Sequence, residues 1–141
     1  MEETDTKKVS MLPYKQRIEM LDDFGKIVIE CVRDPALEGA IKLLTGKSAN
    51  PILTRQYEIL KTLTIEQREK VTDLISETIS EVIFEFLHIF SDNPDDIKLI
   101  VKQDGVEHDY CDLTEHAGSE IVGLDRDDAW QRFSKIGRFL V

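Results

Sequence analysis

Between residues 65 and 90 the apolar side chains follow a pattern that a helix buries best. Val71, Leu74, Ile75, Ile79, Val82, Ile83, Phe86, Leu87 and Phe90 recur at steps of three and four, the spacing that stacks side chains along a helix of 3.6 residues per turn. Glu66, Glu69, Lys70, Asp73, Glu77, Glu81 and Glu85 face away from that stripe. At about 1.5 Å per residue the rod is roughly 39 Å long, long enough to be the spine of the fold. Thr64, with Gln67 three residues on, forms a capping box at its start. Phe84 and Ile89 lie outside the main stripe and widen the apolar surface near the C-terminal end. Other parts of the chain or a second copy must cover that end.

Prolines punctuate the segment before this rod. Asp34-Pro35 and Asn50-Pro51 each place a capping side chain just ahead of a proline. The Asp or Asn oxygen can accept an orphan amide of the first turn, and proline there lacks only an N–H that would have been unsatisfied. Both pairs read as helix starts, and Pro13 opens the first helix in the same way. That first helix is predicted over 14–32, with Tyr14, Ile18, Leu21, Phe24, Val28 and Val32 at helical spacing. Its last turns (Ile27, Val28, Ile29, Cys31, Val32) are apolar nearly all round, which predicts deep burial. A second helix carries Leu37, Ile41 and Leu44 and stops at Gly46. A third carries Leu53, Tyr57 and Leu60.

The pattern changes after Asn93-Pro94. Residues 97–102 are short and β-branched, Gln103-Asp104-Gly105 is a turn signal, and 106–113 can return as the partner strand. A lone hairpin is marginal in water, so it must pack on the helices or gain a third strand, for which 119–124 is the candidate. Asp125 or Asp127 can cap a last short helix with Trp130, Phe133 and Ile136, and the apolar end at Phe139, Leu140 and Val141 is expected to dock. Tyr110 and Trp130 are expected in the core. The fold class expected is α+β, mainly α. A four-helix core surrounds the helix at 65–90, with a small C-terminal antiparallel β element and a final short helix. All-α is the alternative. One domain is expected over 1–141, with the polar residues 1–9 frayed.

Charge narrows the function. The chain has 28 acidic and 18 basic residues, a net charge of -10. Neither nucleic acid nor an anionic membrane surface is an expected partner, because both need a positive field; a protein with a basic surface is. No run has the shape of a signal peptide or a membrane span, so the expected address is cytoplasmic. Two cysteines, Cys31 and Cys111, make no disulfide scaffold. Their apolar or β-branched neighbours predict buried, reduced thiols.

Several motifs approach chemistry without reaching it. Thr45-Gly46-Lys47-Ser48 looks like the end of a phosphate-binding loop, but the glycine needed five positions before Gly46 is Ile41, and the segment closes a helix where such a loop opens one. Gly46 reads better as a helix stop. Glu85-x-x-His88 has the spacing of the carboxylate–histidine pair in di-iron bundles, which need two such pairs and two further inward glutamates; neither His108 nor His116 has a Glu three residues before it. The stretch from His108 to His116 is the densest set of metal-capable groups. Strand alternation would put His108 and Cys111 on opposite faces, so converging on one ion would need a bulge or His116 folding back. Neither of the acidic clusters, Asp92, Asp95, Asp96 and Asp125, Asp127, Asp128, has calcium-loop spacing. No cofactor is expected.

The expected function is a small acidic, non-enzymatic interaction module (a regulator, an inhibitor or an immunity-type protein). It would meet a basic partner through Glu77, Glu81 and Glu85 or through Asp125, Asp127 and Asp128. The alternative is a small enzyme or metal- or ligand-binding domain using His108, Cys111 and His116. A third is a homodimer formed through the broad apolar end of the long helix.

Overall fold

A computed structural model of the chain describes residues 12–47, 50–121 and 129–136. Its architecture is mainly α with a small two-stranded antiparallel sheet.

The chain enters α1 (Tyr14–Val28) after Pro13, whose carbonyl accepts the Arg17 N–H at 3.0 Å. It then runs without interruption through a π-helical turn (Ile29–Arg33) into α2 (Asp34–Leu44). This corrects the helix start expected at Asp34-Pro35. Asp34 is itself helical, with φ -64° and ψ -45°, and its N–H donates to the Ile29 carbonyl five residues back. A proline inside an α-helix lacks an N–H, and its ring collides with the carbonyl four residues earlier. The wider π turn opens the hydrogen-bond ladder at that point and carries the chain past Pro35 without ending the helix.

The expected deep burial around this turn is half right. Val28 and Ile29 are in the core, but Ile27, Val32 and Cys31 are exposed. The helix is covered on one side only, so an apolar segment that wraps all round still leaves a face in water. Cys111 is half-buried, and the two cysteines form no disulfide.

α2 ends as expected at Gly46. The Lys47 N–H reaches the Lys42 carbonyl at 2.8 Å, the Gly46 N–H reaches Leu43 at 3.3 Å, and Gly46 has φ +72°. This is the Schellman arrangement, in which glycine takes the left-handed conformation that a Cβ resists. A Cβ there would also lie 2.6 Å from the Tyr57 ring. The phosphate-loop lookalike thus closes a helix. α3 (Pro51–Leu60) starts at Asn50, whose side chain accepts the Ile52 N–H at 3.0 Å. α4 (Ile65–Asp92) starts at the Thr64–Gln67 capping box, whose two bonds measure 3.1 and 2.9 Å.

The hairpin pairs β1 (Ile100–Gln103) with β2 (Val106–Asp109), Val101 standing opposite His108. Asp104 and Gly105 make the two-residue turn with φ of 52° and 78°, the sign that matches strand twist. β2 is shorter than the expected 106–113. The Asp109 carboxylate accepts the Cys111 N–H at 3.0 Å and turns the chain into one helical turn, α5 (Tyr110–Leu113). The third strand expected over 119–124 is also corrected. Ser119–Ile121 is a 3-10 turn, held by Ser119 Oγ donating to the His116 carbonyl at 2.6 Å. It follows Gly118 at φ +85°, packed against Phe84 so closely that a Cβ would meet the Phe84 carbonyl at 2.8 Å. Residues 122–124 lie outside the described residues, as do 1–9, the caps proposed at Asp125 and Asp127, and Phe139, Leu140 and Val141. The last short helix is a 3-10 turn, Trp130–Phe133.

The core lies where α1, the π turn, the C-terminal half of α4, the hairpin with α5, and 129–133 converge. Met20, Leu21, Ile29, Leu87, Tyr110, Leu113, Ile121 and Trp130 are its most enclosed members. Phe24 meets the edges of Tyr110 and Trp130, each with ring centroids 5.6 Å away. Tyr110 and Trp130 are therefore core residues, as expected.

Candidate interaction surface

α4 does not bury the stripe that its sequence defines. Its enclosed residues are Thr72, Ser76, Ser80, Ile83, Leu87 and Phe90. Val71, Ile75 and Ile79 are half-buried, and Leu74, Val82 and Phe86 keep 62, 62 and 57% of their surface exposed. At 3.6 residues per turn the nine stripe positions cover about 220° of arc, about twice what one core-facing side needs. The fold covers half of that arc. The small Thr72, Ser76 and Ser80 let the π turn and α2 approach closely over the N-terminal half. The other half looks outward. Ile89 is partly exposed beside it, and Phe86 leans edge-on against Phe90 at 5.6 Å.

The acids predicted as a docking row border this outward strip. Glu77, Glu81 and Glu85 are exposed at successive four-residue steps, and none of the three is ion-paired to a described residue. Glu66, Glu69 and Lys70 are exposed as well, whereas Asp73 is half-buried. His88 stands 3.1 Å from Ser91 Oγ with its ring near Phe84, and Glu85 is exposed. Asp125, Asp127 and Asp128 lie outside the described residues.

The set from His108 to His116 is spread over three local structures. His108 is half-buried on β2, Cys111 sits in α5, and His116 is exposed in the loop before the 3-10 turn. Among the described residues no three His, Cys, Asp or Glu side chains lie close enough together to hold a metal ion. The same segment instead builds a structural network. The Tyr110 hydroxyl donates to Glu120 at 3.0 Å and accepts the Gly118 N–H at 2.8 Å, and Thr114 donates to the same Glu120 carboxylate. Burial, with the neighbouring Glu120 charge, pushes the Tyr110 hydroxyl well above its ordinary value. It acts as a clamp on the loop and stays protonated.

One charged constellation escaped the sequence reading. Arg33 is fully buried in the π turn. Its guanidinium donates to Asp34 at 3.0 Å, to Ser134 at 3.1 Å and to Ser76 of α4 at 2.6 Å. Asp34 also accepts Ser134 Oγ at 2.7 Å and the Lys135 N–H at 2.8 Å. Burial works against ionisation of Asp34, but the bonds from Ser134, Lys135 and Arg33 together outweigh it and hold the carboxyl below its usual value. Burial likewise lowers Arg33, which remains a cation. The network joins three segments, the π turn with the start of α2, α4 and residues 134–135. The visible signal was an Arg-Asp pair inside an apolar helical run, followed by a proline.

Two concavities are lined by described residues. A groove of about 190 Å³ lies between α1 and β1, with Met20, Phe24, Ile27 and Ile100 in its lining, and it is smaller than the usual ligand cleft of ~300–1,000 Å³. A shallow polar depression beside it is bordered by Lys15, Glu19 and Asp104. Neither lining includes a serine, threonine, cysteine or histidine. No helix among the described residues is long and apolar enough to cross a membrane.

Comparison with family models, with curated proteins and with solved structures returns no match. The functional reading therefore stands on geometry and charge.

Proposed function

We propose that this chain is a small acidic, non-enzymatic protein-interaction module, of the regulator, inhibitor or immunity type, that docks on a basic protein surface through the outward face of α4. The observation that carries it is the exposed row Glu77, Glu81, Glu85 beside solvent-facing Val82 and Phe86. Fixed carboxylates at one-turn intervals, on a chain of net charge -10, steer a cationic partner into register. The adjacent apolar side chains supply area that leaves water on contact.

Affinity capture with the wild-type chain, compared with a Glu77→Gln, Glu81→Gln, Glu85→Gln variant, tests this reading. A basic partner recovered by the wild type, released by moderate salt and lost from the variant, is the expected result. Equal capture by both chains, or binding indifferent to salt, sinks it. Replacing His108, Cys111 and His116 together by Ala should leave that binding unchanged.

A further inference from the structure

We infer that the partner's docking element is an amphipathic basic helix lying along the outer face of α4; this rests on the basic-partner reading and deepens it. Val71, Ile75, Val82, Phe86 and Ile89 fall within about 60° of arc at 3.6 residues per turn. Ile75, Val82 and Ile89 are spaced by seven, and Val71 and Phe86 fall at steps of four beside them. This spacing is that of a seam into which another helix sets its side chains. From Val71 to Ile89 the strip runs roughly 27 Å, the length of about 18 helical residues.

The shape of the face selects a helix. An α-helix satisfies its own backbone, so α4 offers no free N–H or C=O to an extended peptide, whose amides would lose water without gaining partners. A second helix brings its own hydrogen bonds and packs ridge against groove. Charge selects the sign. Glu81 and Glu85 border the strip on its solvent side, with Asp92 at its end, all exposed. Lysines or arginines flanking the incoming apolar stripe would meet them. A second copy of this chain brings the same acids and another net charge of -10, so it repels where a basic helix attracts.

The experiment uses the full chain and three synthetic 18-residue peptides. The first has leucines at three- and four-residue spacing on a lysine background. The second has the same composition in strict alternation, and the third replaces lysine by glutamate. Titration calorimetry is run with wild type, with Val82→Asp, Phe86→Asp and with Glu81→Gln, Glu85→Gln, each first shown to keep wild-type circular dichroism. Expected are one-to-one binding of the first peptide, weakening on the order of tenfold or more in the aspartate variant, and a shallower salt dependence in the glutamine variant. The glutamate peptide should not bind. Equal binding of the alternating peptide, unaffected by Val82→Asp, Phe86→Asp, overturns the helix inference while leaving the basic-partner reading in place. Failure of both lysine peptides to bind overturns both. A peptide-free dimer that the aspartate variant dissolves assigns the face to a second copy and overturns the inference.

Discussion

Replacing Asp34 by Ala removes one half of an ion pair whose other half has no route to water. Arg33 is 0% exposed, and besides Asp34 its guanidinium reaches the hydroxyls of Ser76 and Ser134. Breaking a buried pair from one side costs about 3–5 kcal/mol, because an uncompensated charge stays inside. Ser134 Oγ and the Lys135 N–H lose their acceptor at the same time, so the upper half of that range is expected. In a chain of this size the melting temperature should fall by about 10–20 °C.

The discriminating assay is a double-mutant cycle. Wild type, Asp34→Ala, Arg33→Met and the double variant are unfolded in urea and followed by circular dichroism and by the fluorescence of the single tryptophan, Trp130. If the pair acts as described, the double variant sits within about 2 kcal/mol of wild type, since replacing both charges leaves no buried charge without its counter-charge and only the neutral Ser134 and Lys135 donors short of an acceptor. The coupling should then be about 2 kcal/mol or more. Acid adds a second signature. The folded carboxyl lies below its unfolded value near ~3.9, so its contribution is complete above that value. It is lost as pH falls through the folded value. Wild type should therefore lose stability below about pH 4 more steeply than Asp34→Ala. A loss under about 1 kcal/mol in Asp34→Ala, or simple additivity in the cycle, would refute the reasoning.

Three further outcomes follow from local geometry. In Gly25→Ala the new methyl would sit 2.4 Å from the Trp130 indole, so a loss of about 1–3 kcal/mol is expected, with a shift in tryptophan emission; net stabilisation, as helix propensity alone would give, would show that the contact relaxes freely. Thr64→Ala removes the hydroxyl that caps α4 and should cost about 0.5–2 kcal/mol in urea unfolding, with an unchanged result contradicting the capping role. In the native chain a thiol reagent should modify exposed Cys31 well before half-buried Cys111, which mass spectrometry of the labelled protein reads directly; equal rates would argue against the outward placement of Cys31.

Most of the secondary structure was legible because it is set by short-range chemistry. The Thr64–Gln67 box, the Asn50 cap, the Gly46 stop and the Asp104-Gly105 turn are each decided within about six residues, by which side chain can reach which amide and which residue tolerates positive φ. Those rules fixed α3, α4 and the hairpin turn, and the acidic row on α4 follows from helical spacing alone. Tertiary structure decided what local rules leave open. Asp34-Pro35 has the chemistry of a helix start, yet the chain stays helical. The π turn absorbs the proline and Asp34 serves as the counter-charge of Arg33, a role that exists only once Ser76 and the 134–135 segment arrive from elsewhere in the sequence. The α4 stripe spans more arc than one core can cover, and sequence could not say which part would be left outside. That depended on which neighbours packed closely against Thr72, Ser76 and Ser80. Burial is a property of the assembled chain, and here it leaves Val82 and Phe86 facing water beside the carboxylates.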